Sequence, residues 1–509
     1  MERNRIAIVG TGISGLSALY SLRNTHHQVH VFEKADRLGG HTNTVTWTHN
    51  GQNTPVDTGF IVLNTATYPN FIQFLTALGV KTISSEMTFG ISRDAGAFEW
   101  SGTSAASLFA QPKNVLKPTF WRMIFDIVRF NQFALDLLQT LPGSTAAIAA
   151  AEMSIGEYLQ KEGYSNAFRD DYLIPMTASV WSTGADKCAL QFPALALVRF
   201  MWNHHLLSTV SERPPWLTVA NGANTYIDAV MNECRNANIH LGTNVDRIER
   251  RNGKVELSLM ENSHRKTEVF DQVILACHGD QARQLLGDAA TSEEGDILDA
   301  FKTTPNTAYL HSDLSFMPKR RTAWSAWNYL TTSSPAPSAT SPSGSLQNVS
   351  LTYNMNILQH IPTSIFSDVL VTLNPEQLPS PALTQATYEY RHPLYNARMV
   401  NAQEKLGKIQ GEQGIWYAGA WTGYGFHEDG CRSGLAVGMR LGGEVPWEVV
   451  DAKFMRGLKP ILNWKDYLLR FILGLVQLVI SLLERVVGIQ RQAVANVDSL
   501  RTLGKAKAS

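Results

Sequence analysis

Apolar positions along the chain follow two periods, and their alternation sets out the architecture. Arg5–Val9 (RIAIV) is a short unbroken apolar run, residues 13–22 carry apolar positions at helical spacing, and Val29–Phe32 is a second short run ending at Glu33. Short runs bounded by turn residues read as buried strands, and recurrence every three to four residues as helix, so the chain opens strand–turn–helix–strand. Val56–Val62 reads as a further strand, and Phe120–Leu141 as the longest helix of a block rich in large apolar residues, with Phe192, Phe200, Trp202, His204 and His205 near its end. Strands return at Trp216–Val219, Ile239–Leu241, Val245–Arg250, Val255–Leu259 and Phe270–Ala276, with a helix from Asn224 through Cys234. Thr331–Ser345 (TTSSPAPSATSPSGS) reads as an exposed mobile loop, followed by the alternating strand Val349–Leu358. Ile415–Trp421 is a last strand, leading through a glycine-rich loop to a helix over Leu435–Leu441.

The pattern beyond residue 458 is different. Phe471–Leu483 has no charge, but its 13 residues fall short of a bilayer span, which takes about 20. Arg470, Gly474, Gln477, Ser481, Glu484, Gly488 and Arg491 recur at spacings of four and three. They make a narrow polar stripe on an otherwise apolar helix, the pattern of a helix lying in a membrane interface or packed in a groove. Peripheral membrane contact through 466–491 is the expectation.

These periods divide the chain into an α/β domain in three pieces (1–94, 213–290 and 401–445), an inserted α+β domain in two (95–212, mostly helical, and 291–400), and a tail (446–509). The expected fold class is α/β, a Rossmann-type domain assembled from split segments, with a C-terminal amphipathic helix. The 509 residues exceed one small core. Lys+Arg and Asp+Glu both number 44, which argues against a nucleic-acid partner held by bulk charge. Cys188, Cys234, Cys277 and Cys431 are scattered, indicating neither a disulfide framework nor a zinc site. His26–His27 and His204–His205 lack carboxylate or cysteine partners at ligand spacing, so no metal is expected. A strand beginning by residue 5 leaves no room for a cleavable signal peptide, and a cytosolic-side location is expected.

The candidate chemistry starts at Gly10-Thr11-Gly12-Ile13-Ser14-Gly15. Gly10 permits the tight turn, Gly12 lets backbone approach a pyrophosphate, and Gly15 lets helix pack on strand. The helix N-terminus aims free N–H groups at the phosphates. Glu33, 18 residues after Gly15, is placed to accept a ribose hydroxyl.

Arg37-Leu38-Gly39-Gly40-His41 extends this pattern four residues past the acid. Together the two segments resemble the extended FAD fingerprint of the amine oxidase, phytoene desaturase and protoporphyrinogen oxidase superfamily. His41 stands where the family usually has arginine. The resemblance implies FAD as cofactor, with Arg37, Gly39, Gly40 and His41 along the pyrophosphate and ribityl chain, Val245 touching adenine through its backbone, and Ala276 at the edge of the site. Gly419 and the loop Gly423–Gly434 (GYGFHEDGCRSG) resemble the family's last flavin segment. A helix N-terminus at Asp429 to Cys431 would point N–H groups at the ring's N1–C2=O edge, and Glu428 is assigned to the cofactor with Asp429 and Cys431. The GFHEDG string, with His392-Pro393 upstream, resembles a branch linked to lipid modification. Cys431 sits at the helix start rather than upstream, which argues against a covalent flavin link.

An FAD-dependent oxidase or dehydrogenase is therefore expected. It would oxidise or desaturate a lipophilic or specialised metabolite by hydride transfer to flavin N5. A flavin-dependent isomerase and a non-catalytic flavoprotein partner of a lipid enzyme are the alternatives. His427 and Tyr424 are the catalytic candidates. Each has a plain structural reading too: local hydrogen bonding for His427, packing for Tyr424. Tyr353 and Asn356 are assigned to the substrate cavity.

Overall fold

Five apolar runs far apart in sequence meet in one parallel sheet. In the computed structural model, which describes residues 3–139, 153–181, 188–207, 214–261, 264–333 and 346–506, its order is Asn238–His240, Gln28–Phe32, Arg5–Val9, Gln272–Leu275 and Ile415–Tyr417. Ile8 pairs with Val31 on one side and Ile274 on the other, and Leu275 pairs with Tyr417. Each inner strand is buried on both faces, which is why these segments read as continuous rather than alternating apolar runs.

Helix Ile13–Leu22 packs on this sheet and against helix His427–Arg440, joining the two ends of the cofactor fold. The second helix turns Gly430, Gly434 and Gly438 to the first. A Cβ at 430 would sit 2.6 Å from Ile13 Cγ2, one at 434 would sit 2.9 Å from the Ser14 carbonyl carbon with its oxygen nearer still, and one at 438 would sit 3.0 Å from Ala18 O. Ser17 Oγ donates to Cys431 O at 3.0 Å across the crossing. Small residues at four-residue spacing thus let the helix backbones touch.

The region read as a single strand over Phe270–Ala276 divides. His264–Phe270 ends an antiparallel meander with Thr243–Arg251 and Lys254–Glu261, and Gln272–Leu275 joins the central sheet. Asp271 is the junction, its carboxylate accepting from Arg5 N at 2.8 Å and facing Lys254 Nζ at 2.9 Å. Val56–Val62 is not one strand either. Gln52–Asp57 pairs with Thr44–His49, then the chain leaves the sheet. Asp57 holds that exit by accepting from Thr44 Oγ1, Ala223 N and Gln359 Nε2.

A second sheet of seven strands runs Thr384–Pro393, Thr303–His311, Leu370–Leu373, Leu346–Asn354, Trp327–Ser333, Phe89–Arg93 and Phe98–Ser101. The 95–212 block therefore opens with half of a β-hairpin, and the expected boundary at 94/95 falls in its turn, where Asp94, Ala95 and Gly96 have positive φ. Helices follow, and the longest is α-helical over Pro118–Phe133 before tightening to 3₁₀ over Ala134–Gln139. The low-complexity stretch lies outside the described residues except Thr331–Ser333, which ends a strand. The strand expected over Val349–Leu358 ends at Asn354, whose side chain accepts from Ile357 N and caps a helical turn, Met355–Leu358. One helix, Trp464–Ala506, closes the chain.

Candidate functional site

A cavity of about 850 Å³ opens at the carboxyl ends of the central strands, the place where open α/β sheets bind ligands. Gly10, Gly12, Ser14, Glu33, Gly39, Gly40, His41, Val245, Ala276, Gly419 and His427 all line it. Sequence positions 10 and 427 thus share one wall.

The glycines behave as their chemistry requires. Gly10 has φ +102°, and a Cβ there would meet Ala276 O at 2.8 Å. Gly15 lies behind the cavity, where a Cβ would come within 3.0 Å of the Gly10 carbonyl carbon. At Gly12 a Cβ would meet nothing within 4 Å, leaving open space before the helix N-terminus. That terminus has no side-chain cap, so its first N–H groups are available to an anion. Glu33 Oε2 accepts from Thr11 N at 3.0 Å and Thr11 Oγ1 at 2.5 Å, while Oε1 accepts from Ala35 N at 3.0 Å. An uncapped helix N-terminus, an open glycine and an acid at the next strand end fit the two ends of a dinucleotide.

The Arg37 guanidinium does not line the cavity. It donates to Leu38 O, Gly40 O and Thr42 O, holding the 37–42 loop in shape. Gly40 brings that loop against the cradle, where its Cβ would sit 3.2 Å from Gly12 Cα.

His41 belongs to a cluster that sequence reasoning missed. Its ring lies 5.6 Å from His278, 5.4 Å from His392 and 5.2 Å from Tyr390, centroid to centroid. His41 Nε2 is 2.9 Å from Arg391 O. Arg391 in turn donates to Thr303 Oγ1 and faces Asp280 at 3.6 Å. Burial holds His41 well below the ordinary histidine value, reinforced by its histidine neighbours. Burial also lowers His278 and pushes His392 down to about 4. Among the described residues no histidine, cysteine and carboxylate group is arranged to hold a metal ion.

Helix His427–Arg440 begins earlier than the expected Leu435, and its first turn decides several assignments. His427 Nε2 is 3.0 Å from Thr42 Oγ1 and 3.1 Å from Tyr226 OH, and the ring stacks on Phe60 at 3.7 Å between centroids. Burial pushes its pKa down to about 3, so the ring is neutral and weakly basic at pH 7. Glu428 turns away from the cavity: its carboxylate accepts from Asn70 N, Asn70 Nδ2 and Phe71 N, capping helix Pro69–Ala77. Asp429 closes a capping box on Phe426 N. Burial raises both acids to about 7. Cys431 is fully buried in the core beneath helix Ile13–Leu22. None of Glu428, Asp429 and Cys431 lines the cavity.

Tyr424, expected as a catalytic residue, packs between Phe200 and Tyr395 off the cavity wall, its hydroxyl buried with no hydrogen-bond partner among the described residues. Asn356 is structural: its amide donates to Ile361 O and Ser367 O and its oxygen accepts from Val369 N. Tyr353 does line the cavity, its ring perpendicular to Trp327 at 5.2 Å.

The lining divides by source. The charged residues on it are Glu33, Lys34, Asp246 and Arg391. The helical block contributes Val180, Phe200, His204 and Leu206, and the large sheet Trp327, Tyr353, Arg391 and His392. Among the described residues these two sources put no carboxylate on the lining.

Comparison with known proteins gives the site a context. A family model described as flavin containing amine oxidoreductase matches residues 13–307, more than half of the chain. The 15-cis-phytoene desaturase of Arabidopsis thaliana is 26% identical over 215 residues, 40% of this chain and 36% of that protein. The chain thus spans about a third of the length of that curated relative. Among solved structures, a CLA-producing fatty acid isomerase from P. acnes superposes with a TM-score of 0.55 at 14% identity, covering 86% of this chain and 98% of the other. Putrescine oxidase bound to putrescine gives a TM-score of 0.56 at 15% identity, covering 86% and 99%. These likenesses establish the fold.

Proposed function

The chain belongs to the flavin containing amine oxidoreductase family and is an FAD-dependent oxidoreductase, and from that premise we propose that it oxidises or desaturates a lipophilic substrate. One observation carries the reading. The lining from the helical block and the large sheet is mainly apolar and aromatic, its one charged side chain among the described residues is the cation Arg391, and the acids Glu33 and Asp246 come from the cofactor-domain segments. A cationic amine would leave its charge unpaired against that lining, at a cost no neighbouring carboxylate offsets. An acyl or isoprenoid chain has no such penalty.

FAD, when bound, supplies a two-electron acceptor at its ring. The cradle at Gly10–Ser14 would hold its pyrophosphate and Glu33 a ribose. The first turn of helix His427–Arg440 would present backbone N–H groups near the ring. His427 acts by position: its Nε2 is engaged with Thr42 and Tyr226, and its low basicity at pH 7 suits a polar wall better than a proton acceptor. Chemistry that breaks C–H bonds without first deprotonating an amine suits such a site.

Anaerobic mixing of the holoenzyme with fatty acyl, isoprenoid, amine and alcohol panels tests this. Bleaching of the flavin's visible band by a lipid, with a desaturated or oxidised product, is the expected result. Bleaching by putrescine-like amines and by none of the lipids would overturn it. The fatty acid isomerase fold gives a second reading, isomerisation without net redox change. That reading requires turnover of a lipid with prereduced flavin and no accumulated bleaching.

A further inference from the structure

The last helix packs inside out. Arg470, Gln477 and Glu484 of its polar stripe contact its own protein, while Gly474 stands in open space. Arg470 Nη1 pairs with Asp136 at 2.7 Å and its guanidinium also donates to Gln132 O. Gln477 Oε1 accepts from Arg129 Nη1 at 2.6 Å, and Gln477 Nε2 donates to Ser481 Oγ at 3.1 Å. Glu484 faces Arg122 at 3.5 Å. Leu473, on the same side, is 6% exposed. The side chains of 487–506, which include Gly488 and Arg491, lie outside the description.

The opposite side is apolar and bare. Phe471 is 64% exposed, and Ile472, Leu475, Leu478, Val479, Leu482 and Leu483 are exposed with it. The apolar segment is longer than the 13 residues of Phe471–Leu483: Trp464–Val486, 23 residues, is long and apolar enough by length and composition to cross a bilayer, with a mean hydropathy of 1.8 and 6% burial in its most apolar window, but Arg470, Gln477 and Glu484 tie it lengthwise to the protein body. An ordinary surface helix does the reverse, burying its apolar stripe and wetting its polar one. Exposed apolar residues continue off both ends. Phe454, Met455, Leu458 and Ile461 precede the helix, and Leu116 and Trp121 sit beside Arg122, the partner of Glu484. An exposed apolar surface of this extent marks an interaction site.

We propose that this face lies in the interfacial layer of a lipid bilayer, the helix parallel to the membrane plane. The width of the face selects lipid over a second copy of the chain. A helix partner covers a seam about 100° wide, leaving apolar flanks on both sides in water. Here the exposed apolar side chains from Leu468 to Val486 run round the helix from Leu478 to Val476, about 160° at 100° per residue, and a bilayer covers a convex face whole. Trp464 and Tyr467 at the start of the helix, both exposed, have the half-apolar, half-polar character that anchors proteins at headgroup depth. The polar stripe fixes which way the helix faces, so the enzyme body sits on the aqueous side. The inference rests on this docking geometry and is independent of the substrate.

Flotation of the full-length holoenzyme with phosphatidylcholine vesicles, with and without phosphatidylserine, tests it. The wild-type chain is expected to float with vesicles. The triple variant Phe471→Glu, Leu475→Glu, Leu482→Glu should lose vesicle partitioning on the order of a hundredfold, since three large apolar side chains forfeit their burial, while keeping FAD content and melting temperature. Those two measurements separate lost binding from lost folding, because the substituted side chains face solvent. Fluorescence quenching by brominated phosphatidylcholine should fall in Trp464→Phe. Wild-type protein that stays at the bottom of the gradient overturns the proposal. So does equal flotation of the triple variant, or a discrete dimer in light scattering that the triple variant abolishes without vesicle binding.

Discussion

Substitution of Gly434 by alanine measures how closely the two ends of the cofactor fold must approach. The added carbon would lie 2.9 Å from the Ser14 carbonyl carbon, and nearer to Ser14 O and Ser17 Oγ. Carbon atoms rest at about 3.5–4.0 Å, so helices Ile13–Leu22 and His427–Arg440 must part by roughly 0.6 Å or more. The obstacle is backbone, which has no rotamer to relax into, so the overpacking cost falls at the upper end of the usual range, about 3 kcal/mol. Alanine returns about 1 kcal/mol of helix propensity, leaving a net loss of about 2 kcal/mol. At 2.1 cal/mol/K per residue the unfolding entropy of 509 residues is roughly 1 kcal/mol/K, so the melting temperature should fall by about 2 °C. Both helices begin on the cavity wall, so FAD affinity should weaken about tenfold, equivalent to about 1.4 kcal/mol. Gly474→Ala is the matched control: it makes the same chemical change in a helix where a Cβ meets nothing within 4 Å. It should leave FAD affinity unchanged and raise stability slightly. Calorimetry of apoprotein and fluorescence titration with FAD read both effects. Wild-type melting and affinity in Gly434→Ala, or an equal loss in Gly474→Ala, would refute the reasoning.

Gly12→Val fills the open space before the cradle helix and should abolish FAD binding with the fold intact by circular dichroism; a yellow, FAD-loaded variant defeats the cradle assignment. His427 has a folded pKa near 3 against about 6.5 unfolded, so its stabilising contribution is present above pH 6.5 and is lost as pH falls toward 3. Between pH 7.5 and 5.5 that loss is about 1.3 kcal/mol, and urea titrations of His427→Gln should show a pH slope shallower by that amount than wild type. FAD binding should take up protons, because an anion beside the His41, His278 and His392 cluster raises pKa values that burial lowers in the free protein. Affinity then rises as pH falls, and calorimetry in buffers of different ionisation enthalpy, which would show zero uptake if the idea is wrong, counts the protons. Asn356→Ala should destabilise by about 2 kcal/mol through its three lost backbone bonds and leave KM unchanged, which steady-state kinetics on a turned-over lipid can check.

The cradle was legible because its reasons are local. A turn, an open approach and a helix packed on a strand each require glycine within six residues, and Gly10, Gly12 and Gly15 meet those requirements in the structure. Glu33 was legible by distance along the chain, and Gly419 and His427 through family resemblance. Side-chain direction was not, because it is set by partners that sequence spacing does not bring together. Glu428 turns to Asn70 and Phe71, 358 and 357 residues away. Arg37 turns inward because three carbonyls of its own loop point at it. The histidine cluster was illegible for the same reason. His392 reaches His41 through the pairing of Thr303–His311 with Thr384–Pro393, and His278 through the end of Gln272–Leu275. His41 and His392 each stood out in the sequence without anything to join them, and the signal for His278 was its position at a strand's carboxyl end. Terminal-helix amphipathicity was plain, but which side would be bare depended on Arg122, Arg129 and Asp136 in a different block.

Strand Arg5–Val9 and strand Ile415–Tyr417 share one sheet with a single strand between them. During synthesis, at roughly 5–20 residues per second, the cradle leaves the ribosome some 20–80 s before its closing strand and helix exist. Over that interval helix Ile13–Leu22 lacks the neighbour that later covers Ser14, Ser17 and Ser21. Those hydroxyls keep the waiting surface compatible with water, where a leucine seam would invite aggregation. Flavin capture is accordingly a late event in the life of the nascent chain, and a fragment ending where the family match ends, at residue 307, would carry the glycines without the floor of the site.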